Sequence, residues 1–174
     1  MNAKEWLLGP AGEGAPETGA GVRPAAAVAG AGLLAAGALH AVWAFSPWPL
    51  ASRAEFAEVV VGVDESQLPS APLTVAVAGL LGAAAWLVVT GARPESGLAA
   101  SRLVRAGMWT VAGVLSVRGL GGLAVSGLEL GDAPAAFRHW DLALYSPLCI
   151  ALGGLTGFTA ARTRRRRIGS LRRA

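Results

Sequence analysis

The chain has 174 residues, 53% of them hydrophobic and 15% charged, with a formal net charge of +4. Soluble domains carry about 25% charged residues, so most of this length is suited to lipid rather than to water. The basic residues flank apolar stretches instead of interleaving with aromatics on a polar surface, which argues against nucleic acid as a partner, and the single Cys149 excludes an intramolecular disulfide and a Cys-based zinc site.

Residues 1–23 read as a loose N-terminal arm, with Gly9-Pro10, a Gly/Ala/Pro/Glu-rich run and little to bury. The arm carries Glu5, Glu13 and Glu17 and lacks a compact basic start, so it makes a poor signal peptide. The first apolar span is expected to be an uncleaved anchor. Four spans follow, at about 24–45, 72–90, 103–123 and 141–161, each near the ~20 residues an α-helix needs to cross hydrocarbon. Pro24 and Pro72 suit the first turn of a helix, where a missing N–H costs nothing. The third span has Leu128 as an alternative end. The fourth starts at Asp141 or at Pro147, since Ser146 is a good N-cap and Pro147 a good first-turn residue. Pro134 to Tyr145 is then either a separate short amphipathic helix or the opening of one helix that kinks at Pro147. A basic tail, 162–174, closes the chain. Lipid offers backbone groups no partners, which forces helices. The expectation is an all-α integral membrane four-helix bundle forming one domain, 24–161.

Lys and Arg are sorted among the connectors. Lys4 and Arg23 precede span one, and Arg93, Arg102 and Arg105 surround the second connector. The tail holds Arg162, Arg164, Arg165, Arg166, Arg167, Arg172 and Arg173. Against these, the first connector has Arg53 and the third Arg138, while Glu55, Glu58, Asp64, Glu65, Glu129, Asp132 and Asp141 lie on that Arg-poor side. The bias predicts up-down-up-down threading with both termini cytoplasmic. Trp43, Trp48 and Trp140 then fall near the outer interface, and Trp86 and Trp109 near the inner one, as aromatic belts do.

Span one is mostly Ala and Gly and gains little from lipid alone. Its Gly30, Gly32 and Gly37, with Gly153-x-x-x-Gly157 on span four, mark close helix–helix contacts, although a GC-rich coding sequence gives the same small-residue bias. Arg118 stands inside span three. A charge at a helix centre costs about 2.5–3.5 kcal/mol on insertion scales, against about 0.3–0.6 gained per large aliphatic residue, so it must snorkel, face protein or pair. Asp141 is the acid placed to neutralise it. His40, Arg118, Asp141 and Tyr145 fall at one depth in the outer leaflet although they come from three spans. Cys149 lacks an adjacent base, except His40, and reads as a small core residue.

Three segments carry a resemblance. They are His40-Ala41-Val42-Trp43-Ala44-Phe45 with Trp48 and Pro69; Ser116-Val117-Arg118-Gly119; and Arg138-His139-Trp140-Asp141-Leu142-Ala143-Leu144-Tyr145-Ser146-Pro147-Leu148-Cys149. Together they resemble the H-x-x-W-A, third-helix arginine and R-x-x-D-x-x-x-Y-S-P-L-C patterns of domain-of-unknown-function family 3995, small bacterial four-helix membrane proteins. The likeness covers about His40 to Gly154 and departs at Ser46-Pro47, where the family tends to have glycines. It implies that His40, Trp43, Arg118, Arg138, Asp141, Tyr145 and Cys149 belong to a shared pattern, and a bacterial inner or plasma membrane as location. No activity comes with it.

Two readings stay open. In the first the chain is a non-enzymatic membrane component whose polar cluster locks helices, with the bilayer as its partner and self-association or another membrane protein as further partners. In the second, His40, Trp43, Arg118, Arg138, Asp141 and Tyr145 line a pocket for a lipid or small amphipathic ligand, with or without chemistry. Arg118 would bind an anionic group, Asp141 would orient it, and His40 would be the acid–base candidate. No catalytic residue, metal site or cofactor is expected.

Overall fold

The structure, a computed structural model, describes residues 21–93 and 101–171, with side chains as far as Thr163 in the last helix. The expected arm up to residue 20, the connector residues 94–100, Arg172 and Arg173, and the side chains of Arg164 to Arg167 lie outside the described residues. What is described is all-α, without strands.

Helix α1 spans Val22–Trp43, with Pro24 in its first turn. A short helix α2, Arg53–Phe56, is capped by Ser52, whose hydroxyl accepts from the Glu55 N–H, while the Glu55 carboxylate accepts from the Ala51 N–H. This is close to a capping box. It widens into a π turn over Ala57–Val61 and stops at Gly62, whose φ of +79° is left-handed. A side chain at Gly62 would also run into the Phe137 ring. Helix α3 spans Ala71–Gly91 and α4 Arg102–Gly127. The latter reaches the longer of the two ends weighed above, because the chain stays apolar past Leu123 and leaves the helix only where Glu129 turns left-handed, at φ +53°. The Leu130 N–H bonds back to the Val125 carbonyl across that turn.

The last span is one continuous run. Helix α5, Ala135–Trp140, passes through a π turn, Asp141–Tyr145, into α6, Ser146–Leu171. Of the two alternatives, the helix that runs through Pro147 is the one found, and no separate surface helix precedes it. Pro147 has no N–H for the Ala143 carbonyl, and the chain accommodates this by widening: the Ser146 N–H reaches back five residues to the Asp141 carbonyl.

Among the described residues, four segments are long and apolar enough to cross a membrane: Val22–Trp43, Ala71–Gly91, Arg102–Gly127 and Ala135–Thr163. Their mutual packing runs through small residues. Gly30 faces Val89 and Gly37 faces Leu81; Gly91 lies against Met108 and Gly107 against Leu87; Gly119 lies against Ile150 and Gly157 against Ala112. Gly32 makes room for Leu152. Ala26, Ala29, Leu33, Ala85, Val88, Met108 and Ala160 form the buried seam. Many of the larger aliphatics point outward instead, among them Leu80, Leu103, Val114, Val117 and Leu120. Such a surface is costly in water and favourable in lipid.

Candidate functional site

Arg118 lies nine residues before the end of α4, roughly 14 Å of helix at 1.5 Å per residue. That depth removes the easy snorkel. Asp141 is buried, its side chain only 1% exposed, and accepts from three donors. Arg118 Nη2 approaches Oδ1 at 2.9 Å, Ser146 Oγ donates to Oδ1 at 3.0 Å, and Ser126 Oγ donates to Oδ2 at 2.6 Å. Arg118 Nη1 also donates to Ser146 Oγ at 3.4 Å. A buried carboxylate persists when its lone pairs are met by donors and a counter-charge, and both conditions hold here. The π turn sets this aim, since it brings Asp141 and Ser146, five residues apart, into contact.

Ser126 was not among the residues anticipated, although a signal existed. Arg118, Gly122 and Ser126 recur every four residues, so they share one face of α4. Gly122 is the gap that lets the network form: a Cβ there would meet Ser146 Oγ, Arg118 Nη1 and Asp141 Oδ2.

Arg118 is not consumed by the pair. Its side chain is 45% exposed, and of the five N–H groups of a guanidinium, two are engaged by Asp141 and Ser146. It forms part of the wall of a cavity of about 470 Å³, together with His40, Trp43, Arg53, Phe56, Thr74, Val77 and Phe137. Phe137 and Arg118 also border a shallower groove over Gly122, Ser126 and Asp141. The cavity lies where α1 ends and α3 begins, roofed by α2 and its π turn. Trp43 is held in its wall by a hydrogen bond to the Trp48 carbonyl at 3.0 Å and by ring contacts with His40 and Phe56 at 5.1 and 5.3 Å. His40 Nδ1 lies 2.8 Å from the Ala36 carbonyl. A carbonyl only accepts, so Nδ1 carries the proton and Nε2 is the basic nitrogen.

Of the six residues singled out from sequence, four are brought together, by one direct contact and one shared cavity wall. Arg118 joins Asp141 directly, and His40 and Trp43 share the cavity wall with Arg118. Tyr145 stands beside the site. Its hydroxyl donates to the Val59 carbonyl at 3.3 Å and its ring packs on Phe137 at 6.2 Å, so it fastens the roof to the last helix. Arg138 lies partly buried on α5 and is not among the cavity-lining residues. Cys149 is half-buried on α6. Among the described residues no group of His, Cys, Asp and Glu suited to a metal ion occurs. Arg53, Phe56, Thr74 and Phe137 come to the site from segments whose sequence announces only a loop or a helix end.

A family model described as a protein of unknown function (DUF3995) matches residues 22–156. No curated protein and no solved structure matches the chain.

Proposed function

This chain belongs to the DUF3995 family of proteins of unknown function, and from that premise we propose that it is a non-enzymatic integral membrane protein that binds a small amphipathic molecule in the cavity beside Arg118. The Arg118–Asp141 network is the lock that ties α4 to the last helix and holds one wall of that cavity. The observation that carries the reading is the double engagement of Arg118: one edge of its guanidinium is fixed by a buried carboxylate, while the side chain stays open to an aromatic-walled space. The volume falls in the range of small-molecule sites, about 300–1,000 Å³.

The four apolar helices support a multi-pass protein of the cell membrane. The small-residue contacts support antiparallel neighbours, as up-down-up-down threading requires, because residue numbers run in opposite order along two touching pairs, α1 with α3 (Gly30 with Val89 but Gly37 with Leu81) and α4 with α6 (Gly119 with Ile150 but Gly157 with Ala112). The Arg-rich connectors support a cytoplasmic location for both termini. On this reading the cavity opens in the outer leaflet.

Filling the cavity tests the reading. Val77→Trp replaces one lining apolar group by a larger one and is expected to leave a folded, extractable protein. Native mass spectrometry of full-length wild type is expected to find a small-molecule adduct that this variant lacks. Adduct-free wild type, together with an Arg118→Leu/Asp141→Leu variant that is stable and indistinguishable from wild type in cells, would overturn the ligand cavity and leave the lock alone.

A further inference from the structure

The charge of the cavity wall defines its occupant further, on the premise that the cavity binds a ligand at all. Both charged side chains in the lining are arginines, Arg53 and Arg118, and no Asp or Glu lines it among the described residues. Two acids of the neighbouring connector have other partners: Glu55 accepts from the Ala51 N–H, and Glu65 pairs with Arg53 at 3.8 Å with both side chains more than half exposed. So loose and solvated a pair leaves Arg53 available to a ligand. Arg118 retains N–H groups without a protein acceptor among the described residues. The lining also includes Ser70 and Ala71 at the start of α3, where Ser70 makes no side-chain cap. Backbone N–H groups of a first turn lack intrahelical partners, and that end of a helix carries partial positive charge. The rest of the wall is aromatic and aliphatic, with Trp43, Phe56 and Val77 prominent.

We propose that the occupant is an amphiphile with an anionic head, the head facing Arg53 and Arg118 and the apolar body lying against Trp43, Phe56 and Val77. Arg53 is then the residue that sets head-group preference, since Arg118 is already balanced by Asp141. A cationic head would face two guanidinium groups of its own sign, and a neutral one would gain no charge-assisted contact with them.

The test uses purified full-length protein in nanodiscs of phosphatidylcholine, with radiolabelled dodecyl phosphate as probe and empty nanodiscs subtracted. Dodecyl phosphate is expected to bind at least about ten-fold tighter than dodecanol or dodecyltrimethylammonium compete, the effect of one charge-assisted contact. Inorganic phosphate is expected not to displace it. Arg53→Gln is expected to weaken dodecyl phosphate about ten-fold while leaving dodecanol unchanged, which a merely structural role for Arg53 would not do. Equal competition by dodecanol or by the ammonium compound overturns the anionic head while the ligand cavity stands. Displacement by inorganic phosphate alone overturns the apolar body. Absence of binding by every probe overturns this inference and counts against the ligand cavity itself.

Discussion

At the scale of single residues, the decisive pair is Arg118 and Asp141, and its energetics are asymmetric. Removing one partner strands the other among aliphatic side chains, while removing both removes the problem. Asp141→Leu is therefore expected to destabilise by about 3–5 kcal/mol, and Arg118→Leu by a comparable amount. The double variant should recover most of the loss. Unfolding midpoints in detergent for the four proteins of that cycle decide the matter, and additive losses would mean that the two groups do not act as a pair. Gly122→Ala tests the same network sterically. The added methyl has no room beside Ser146 Oγ and Arg118 Nη1, so the guanidinium must shift. The expected outcome is a loss of about 1–3 kcal/mol, typical of an overpacked site, with weaker ligand binding by the same assay. The pairing was legible in sequence because a charge in a span demands a counter-charge and Asp141 was the acid near one. Ser126 was less legible, since a serine near a helix end has many ordinary reasons to be there.

At the scale of elements, turns and helix contacts set the register. Glu129 holds a left-handed conformation in a position where glycine is the common occupant. Glu129→Gly is expected to stabilise the protein by about 0.5–1 kcal/mol, read as a higher unfolding midpoint; a lower one would show that the Glu129 side chain contributes something the turn geometry does not reveal. Gly119 is different in kind. A Cβ there would press on the Ser146 carbonyl and the Ile150 amide, at 2.8 and 3.0 Å, and backbone cannot swing aside as a side chain can. Gly119→Ala should push α4 off α6 and lower the midpoint more than Gly113→Ala, where nothing lies within 4 Å. Among elements, the long helices were plain in the sequence because lipid leaves an apolar stretch little choice. The two π turns were not. An α-helical period predicts contacts three and four residues apart, whereas Asp141 meets Ser146 at five. The Arg53–Val61 segment, which roofs the cavity, is too short and mixed in character to declare itself, so the cavity stayed hidden while one of its walls did not.

For the whole molecule, a buried seam rich in small residues under an outward coat of large aliphatics is what an apolar solvent favours. Packing there depends on close approach rather than on escape from water. Arginine placement adds direction. In a Cys149→Ser background, Asp64→Cys is expected to react with an impermeant maleimide added to intact cells and Ser170→Cys only after permeabilisation. The reverse pattern would invert the proposed orientation and place the cavity on the cytoplasmic side. Trp86 and Trp109, both half exposed, belong to the ends of α3 and α4 that face the arginines, consistent with a second interface there.

The wide turn at Asp141–Tyr145 makes chain length itself a determinant of the site. A π turn is an α-helix carrying one surplus residue, and each residue of an α-helix advances the face by roughly 100°. Excising Ala143 would let the helix close up and swing everything ahead of it, Asp141 included, away from Arg118. Ala143→Leu, on an exposed position, would do nothing of the kind. The carboxylate is aimed by counting, so the three exposed residues from Leu142 to Leu144 should forgive most changes of spelling and no missing letter.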